Sequence, residues 1–175
     1  MKLGFKPSSQ RGQHFQLVSL AMRKLKSANL ALKGKSEREF EQAIIGHLQS
    51  SPKIRNNIIT QVGIDEVDKI TQAKLFGFSH RPDASIGIDG TALEIKVITG
   101  AQSARDILGQ SIAYRMHYRF VILILVDMTN DRRLVKLCKN KASREYSLLS
   151  GMSQSMNIFS VVGPVSSSKN IIFMP

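Results

Sequence analysis

The chain has few of the residues that build covalent or metal-cluster sites. It contains one cysteine, Cys138, which excludes an intramolecular disulfide framework and a cysteine-rich zinc site. Its histidines lack metal-ligand spacing, and no glycine-rich loop precedes a Lys-Ser or Lys-Thr pair. The longest apolar run, residues 120–126, is far shorter than the ~18 residues of a membrane span. These absences favour a reducing compartment, by default the cytoplasm, and argue against a membrane or a nucleoside triphosphate as partner.

Length and charge narrow the class of protein further. The 175 residues, 42% of them hydrophobic, fit one domain with a buried core. Lys and Arg number 25 against 13 Asp and Glu, which gives a formal net charge of +12. An excess of this size indicates a polyanionic partner, and nucleic acid is the most common one.

Much of the positive charge precedes the first acidic residue, Glu37. An acid-free, serine-containing N-terminus is also typical of organellar transit peptides, so targeting stays open as an alternative. We favour a basic helical arm over residues 1–35, followed by the main domain over 36–175. Arg23, Lys24 and Lys26 are its expected nucleic-acid contacts. The apolar positions that recur near helical spacing are Leu17, Leu20, Ala21, Leu25, Ala28 and Leu32.

Hydrophobic periodicity and turn residues predict alternating helices and strands after the arm. The first part comprises a helix capped by Ser36 and ended by Ser50-Ser51-Pro52, strand material at Ile58, Ile59 and Val62, and strands over 83–88 and 91–98 joined at Asp89-Gly90. The second part comprises a helix over 103–118 capped by Ser103 and Asp106, a strand over 120–127, a basic helix over 132–150, and strands over 157–162 and 170–174. This order predicts an α/β fold with one mixed central sheet.

Three charged residues are predicted to meet on the hairpin at Asp89-Gly90. On a strand Glu94 and Lys96 share one face, while the apolar residues between and beside them form the other. The hairpin returns the strand of Asp83 alongside them. Two neighbouring carboxylates repel each other, and a divalent cation removes the conflict. Oxygen ligands from Asp83, Glu94 and the Ile95 carbonyl suit Mg²⁺, and Lys96 could then activate water or neutralise charge on a phosphate.

The residues Pro82-Asp83 and Glu94-Ile95-Lys96 resemble the motif of the PD-(D/E)XK nuclease superfamily. The resemblance covers about residues 36–127. It implies a restriction-endonuclease-like fold with an α-β-β-β-α-β core and a Mg²⁺-dependent DNA nuclease, with Mn²⁺ as a possible substitute. The implied role is in DNA processing, repair or recombination. An endonuclease is one class of enzyme with such a role. Asp83, Glu94 and Lys96 would be catalytic, and Arg81 would contact the nucleic acid.

Two further elements resemble parts of this superfamily. Gln110 and Tyr114, one helical turn apart, resemble the Gln-x-x-x-Tyr element of the RecB-like and lambda-exonuclease-like branch, which implies contact with the nucleic-acid strand. The superfamily also places a glutamate of the first helix at the metal site. Glu41 is preferred because its pattern resembles the Mrr-like branch, while Glu37 fits the positive helix N-terminus better. Both remain candidates at this stage.

Three alternatives remain open from the sequence. The chain could be a basic nucleic-acid-binding protein that keeps the fold without hydrolysis. It could also be a Holliday-junction resolvase, which would have to act as a homodimer to make paired cuts. The third alternative concerns the basic run, which is either a solvated helix face or a phosphate contact. That run consists of Arg132, Arg133, Lys136, Lys139, Lys141 and Arg144.

Overall fold

The computed structural model describes residues 4–31, 34–61, 70–75, 77–165 and 169–175. The helices are α1 Gly12–Lys26, α2 Glu37–Gln49, α3 Pro52–Arg55, α4 Ala101–His117, α5 Arg133–Lys139 and α6 Arg144–Met156, with a 3-10 turn at Asn130–Arg132. The strands are β1 Ile58–Thr60, β2 Ala73–Leu75, β3 Phe78–His80, β4 Ala84–Ile86, β5 Thr91–Ile98, β6 Phe120–Asp127, β7 Ile158–Gly163 and β8 Ile171–Phe173.

Six of the strands form one mixed sheet in the order β1-β4-β5-β6-β7-β8. Strands β5, β6 and β7 are parallel, and β1, β4 and β8 pair antiparallel at the two sides. Strands β2 and β3 form a separate antiparallel hairpin inserted between β1 and β4. The fold is therefore α/β with a mixed central sheet flanked by helices, as the residue pattern predicts.

Helices cover both faces of the sheet and create two apolar clusters. One cluster joins α1, α2 and α3 to residues such as Leu93 and Ile95 of β5. The other joins α4, α5 and α6 to the opposite face, including Ala92 and Ile98. Strand β6 is buried along its whole length, which explains its continuous apolar sequence. Because both faces of β5 are covered, a charged side chain on that strand needs a specific environment.

The predicted arm contains the first of these covering helices. Leu17, Ala21 and Leu25 on α1 are buried in the first cluster, which confirms the helical periodicity; Leu32 lies outside the described residues. The segment before α1 is fixed by the buried Arg115, which donates to the Lys6 carbonyl (2.8 Å) and the Ser8 hydroxyl (2.7 Å). The proposed boundary between residues 35 and 36 stays a prediction.

Two predicted helices differ from the structure. Helix α4 begins at Ala101 rather than at residue 103, because the Ser103 hydroxyl folds back to accept from the backbone N–H of Gly100 (3.3 Å). Ser103 therefore caps from inside the helix, and the predicted cap pairing with Asp106 is wrong. The predicted helix over 132–150 is two helices, because Ser143 starts α6 by accepting from the Tyr146 N–H (3.0 Å).

Strand predictions agree closely with the structure. Strands β5 and β6 have the predicted bounds, β4 lies inside the predicted 83–88 segment, and β8 is an edge strand. Val62 lies outside the described residues. None of the helices in the described part of the chain combines the length and the apolar character needed to cross a bilayer.

Candidate active site

The candidate site lies just before the first residue of β4. Beyond this point β5 continues without a described strand on its β4 side. Ala84 pairs with Leu93 at the last position of the β4–β5 ladder, so Asp83 comes opposite Glu94. Beyond Leu93, the described strands pair with β5 only on its β6 side. The second half of β5 therefore borders an opening in the sheet, and this opening leaves room for side chains from both helix layers.

Asp83 is fixed at this opening by the backbone of β5. Its Oδ2 accepts a hydrogen bond from the Ile95 N–H at 2.7 Å. Burial raises the pKa of Asp83 to about 6, the Ile95 hydrogen bond opposes this rise, and the charges of Glu41 and Glu37 add to it. Since the N–H and C=O of a strand residue point to the same side, the Ile95 carbonyl also faces Asp83. The opening thus gathers a carboxylate and a backbone oxygen.

Glu94 is the most unusual residue of the site. It is only 7% exposed, and its Oε2 is buried without a hydrogen-bond partner among the described residues. Burial, followed by the neighbouring charge of Asp83, raises the pKa of Glu94 to about 8. A buried carboxylate oxygen with no donor is costly for the fold alone. An oxygen of this kind is a suitable ligand for a divalent cation.

Helix α2 adds acidic residues from the opposite layer. Ser36 and Glu39 form a capping box, in which Glu39 Oε2 accepts from the Ser36 N–H at 2.8 Å. Glu39 therefore makes the capping hydrogen bond, and Glu37 lies with it in the first turn at the helix N-terminus. Burial, followed by the charge of Glu37, raises the pKa of Glu41. Both Glu41 and Glu37 act on Asp83, with Glu41 the stronger influence, so the structure brings both candidates to the site.

Lys96 provides a positive charge near these acids. It opposes the effect of burial on the pKa values of Glu41, Asp83 and Glu94, so its ammonium group lies within electrostatic reach of all three. Its side chain is half-buried and can still meet a molecule that enters the opening. The sequence-predicted triad of Asp83, Glu94 and Lys96 is therefore assembled in one place.

Helix α4 closes the site on the side of Glu94. The Tyr114 side chain is buried (1% exposed), and its hydroxyl donates to the Arg81 carbonyl at 3.1 Å and lies close enough to Glu94 to lower the pKa of that carboxyl. Burial and the neighbouring Glu94 raise the pKa of Tyr114. Gln110, one turn earlier, has a buried Oε1 with no partner among the described residues. The sequence pair thus borders the site, but Tyr114 acts here as a support for Glu94 and for the Asp83 segment.

Removing the Tyr114 hydroxyl should test this supporting role. In Tyr114→Phe the Arg81 carbonyl loses a donor and Glu94 loses the nearby hydroxyl, so we expect a loss of about 1–3 kcal/mol of stability. Urea unfolding of the metal-free protein at pH 6 measures this loss. The exposed neighbour Ile112, changed to Val, provides the control. A Tyr114→Phe variant as stable as this control would contradict the role.

One positioning residue was not identified from the sequence. The Gln61 side chain, just after β1, donates to the Pro82 carbonyl at 2.8 Å, and its backbone N–H donates to the Asp83 carbonyl at 3.4 Å. With the Gln72 amide in the orientation that satisfies both of its polar atoms, Arg81 donates to the Gln72 side-chain carbonyl at 2.6 Å. Nothing in the local sequence of Gln61 indicates this role, because it arises only from the pairing of β1 with β4.

The basic residues of the arm lie away from these carboxylates. Lys24 donates to the Ser50 hydroxyl at 3.0 Å, so it sits at the C-terminal end of α2, whereas Glu41 lies near the N-terminal end. Nine residues of helix separate the two positions by ~13 Å. Arg23 and Lys26 are exposed on the same last turn of α1. Their contact with nucleic acid stays a prediction.

The chemical nature of the ligand atoms in the site decides which metal ion the site suits. Within the described ranges, no group of three or more His, Cys, Asp and Glu side chains could hold an ion. The available ligands are two carboxylates, the Ile95 carbonyl and water, and all are oxygens. Mg²⁺ is usually bound in this way, by one or two carboxylates with water and substrate phosphate. The unpartnered Glu94 oxygen also fits such an ion.

No protein-family model, curated protein or solved structure matches the chain.

Proposed function

We propose that the protein is a Mg²⁺-dependent nuclease that hydrolyses phosphodiester bonds in DNA. One observation carries the proposal: Asp83, Glu94 and Lys96 converge at the open part of β5, where a buried carboxylate oxygen lacks a partner. A structural ion pair would leave no such oxygen. The charges of Glu41 and Glu37 also act on Asp83, and a bound cation would offset this negative charge.

The order of elements around the site supports the same proposal. Leaving aside the short helix α3 and the β2–β3 hairpin, the chain runs α2, β1, β4, β5, α4, β6, with β4 and β5 antiparallel and β5 and β6 parallel. This is the α-β-β-β-α-β order that the PD-(D/E)XK resemblance implies. Pro82-Asp83 comes directly before the second of these sheet strands, and Glu94-Ile95-Lys96 lies on the third. Membership of that superfamily, and the restriction-endonuclease-like fold, are part of the proposal.

In this mechanism each residue has a distinct task. Asp83, Glu94 and the Ile95 carbonyl would hold the ion, which supplies Lewis-acid polarisation of the phosphate and of a bound water. Lys96 orients the attacking water and stabilises the negative charge that develops on the phosphate. The water oxygen bonds to phosphorus as its proton passes to solvent, and the bond from phosphorus to the leaving oxygen breaks as that oxygen takes up a proton from solvent. Glu41 would complete the outer part of the site, and Gln110 would guide the nucleic-acid strand.

Incubation with a substrate panel tests the proposal. Plasmid, linear and four-way-junction DNA are each mixed with Mg²⁺, Mn²⁺ or EDTA, and wild type is compared with Asp83→Ala. We expect metal-dependent products from wild type and none from the variant, with DNA binding retained by both. Full activity of Asp83→Ala would refute the nuclease proposal. Retention of DNA on a gel with no products in any condition would favour a non-catalytic binding protein, and paired cuts in junctions would indicate a resolvase dimer.

A further inference from the structure

A second charged feature lies at the edge of the sheet that is formed by the C-terminal ends of the parallel strands. Strands β5, β6 and β7 finish side by side, with Ile98 beside Asp127 and Val126 beside Gly163. Lys96 lies two residues before the end of β5. The loops that follow β6 and β7 therefore lie on the same edge as the candidate active site, one and two strands away from it.

A cavity of about 520 Å³ opens at this edge beside the end of β7. Its charged lining consists of three cations, Arg132, Lys136 and Lys139, and one acid, Asp131. Asn29 and Ala31, from the segment after α1, form the opposite wall with Pro164 and Val165. The net charge of its lining is +2, and the amide of Asn29 adds a polar side chain. The cavity thus has the character of an anion-binding site.

The cations of this cavity are not engaged with carboxylates. Arg132 donates to the Asp127 backbone carbonyl at 3.0 Å, and no ion pair of Lys136 or Lys139 occurs in the described part of the chain. Both lysines are exposed on one side of α5, while Val135 and Cys138 are buried on the other. Their charge is therefore available to a ligand.

The loop that carries Arg132 is rigidly anchored. The carboxylate of the fully buried Asp127 accepts from the Thr129 N–H (2.9 Å), the Thr129 hydroxyl (2.6 Å) and the Val135 N–H (2.8 Å). Asp131 and Arg132 are both left-handed, with φ of 56° and 53°, a conformation that non-glycine residues rarely adopt in succession. Asp127 is thus a structural residue, and the position of Arg132 is set by the fold.

A neighbouring cavity on the same edge provides a contrast. It lies between the ends of β5 and β6, and its only charged lining residues are Arg133 and Glu145. These charges cancel, so that cavity lacks the net positive charge that a phosphate requires. The positive cavity at the end of β7 is consequently separated from the active site by a neutral stretch.

We infer that the cavity lined by Arg132, Lys136 and Lys139 binds a backbone phosphate of the nucleic acid at a distance from the scissile bond. This inference rests on the proposed function for the identity of the polyanion. Adjacent strands are ~4.8 Å apart, so the cavity lies at least ~10 Å from Lys96, which corresponds to about three base pairs of duplex rise. Since the contacts are to phosphate, the site positions the substrate without reading its sequence.

The test compares two double variants that remove the same charge. Lys136→Gln/Lys139→Gln changes the cavity and leaves Arg132 and its loop intact. Lys53→Gln/Arg55→Gln changes exposed residues of α3, which leads into β1 at the opposite edge of the sheet, where Ile58 pairs with Ile86. Binding to a duplex is measured in EDTA, so that nothing is cut, from low to physiological salt. Circular dichroism establishes that both variants are folded.

We expect the cavity variant to reduce the slope of log K against log salt by about 1, at 0.9 per lost phosphate contact, and the α3 variant to leave it unchanged. Equal slopes for both variants would overturn the inference even if the enzyme cleaves DNA. A reduced slope without cleavage by wild type would support the cavity while the nuclease proposal fails.

Discussion

Glu94→Gln is expected to abolish Mg²⁺-dependent DNA cleavage and, at the same time, to stabilise the metal-free protein at alkaline pH. The loss of cleavage follows because an amide oxygen is a much weaker ligand than a carboxylate for a hard cation. We expect the rate to fall by at least ~10³-fold, as for removal of a group that stabilises the transition state. Gel assays of product formation at saturating Mg²⁺ measure this part.

The gain in stability follows from the sign of the pKa shift. The pKa of Glu94 is raised by burial to about 8 in the folded protein, above its ordinary value of 4.5. The folded state therefore binds this proton more tightly than the unfolded state, and metal-free stability falls as pH rises from about 4.5 to about 8. Glutamine carries no such proton. At pH 8.5 we expect Glu94→Gln to exceed wild type by at least about 1 kcal/mol, or roughly 2–4 °C in Tm.

Thermal unfolding in EDTA at pH 5 and pH 8.5 measures the difference. The two proteins should be close in Tm at pH 5, and the variant should be higher at pH 8.5. Mg²⁺ should raise the Tm of wild type only, because a ligand stabilises the state that binds it. Asp106→Asn, which removes an exposed carboxylate bonded to Gln102 on α4, is the control. A variant that is less stable than wild type at pH 8.5 would show that the Glu94 charge is compensated within the protein.

Lys96→Met is expected to separate catalysis from metal binding. The ammonium group acts on the water and on the phosphate in this account, whereas the ion is held by oxygens. Cleavage should fall by about 10²–10⁴-fold, the usual contribution of a general acid–base group, while the affinity for Mn²⁺ stays within a few-fold of wild type. Single-turnover cleavage and calorimetric titration with Mn²⁺ measure the two quantities.

Lys53→Met, at an exposed position on α3, serves as the control for Lys96→Met. It should retain both cleavage and Mn²⁺ binding. If Lys96→Met kept wild-type cleavage, Lys96 would have no chemical role. If it lost Mn²⁺ and cleavage together, Lys96 would instead be a structural partner of Asp83 and Glu94.

The sequence was most informative about β5 and β6. The alternation of Glu94 and Lys96 with apolar neighbours, and the uninterrupted apolar run of β6, both follow from the burial of a strand on one or two faces. The bounds of both strands agree with the structure. The return of the strand of Asp83 alongside β5 was also predicted, but its register was not. A two-residue turn at Asp89-Gly90 would place Asp83 opposite Lys96, whereas Ile86 pairs with Thr91 across four residues, and this register places Asp83 opposite Glu94.

What the sequence did not predict depends on contacts between distant segments. The break between α5 and α6 arises from the Ser143 cap, and the basic residues on both sides of it continue the charge pattern of a single helix. Gln61 reaches Pro82 only because β1 pairs with β4. The depth of Glu94 likewise results from α4 packing over β5 through Tyr114. Local spacing carries no information about these contacts.

The central claim is that Asp83 and Glu94 share one divalent cation beside Lys96. Titration of the metal-free protein with Mn²⁺ at pH 8, followed by electron paramagnetic resonance, tests it most directly. The account predicts that wild type binds Mn²⁺ at a site that Mg²⁺ displaces, and that Asp83→Asn and Glu94→Gln each lose this site while remaining folded. Mn²⁺ binding of equal stoichiometry and affinity in wild type and in both variants would contradict it.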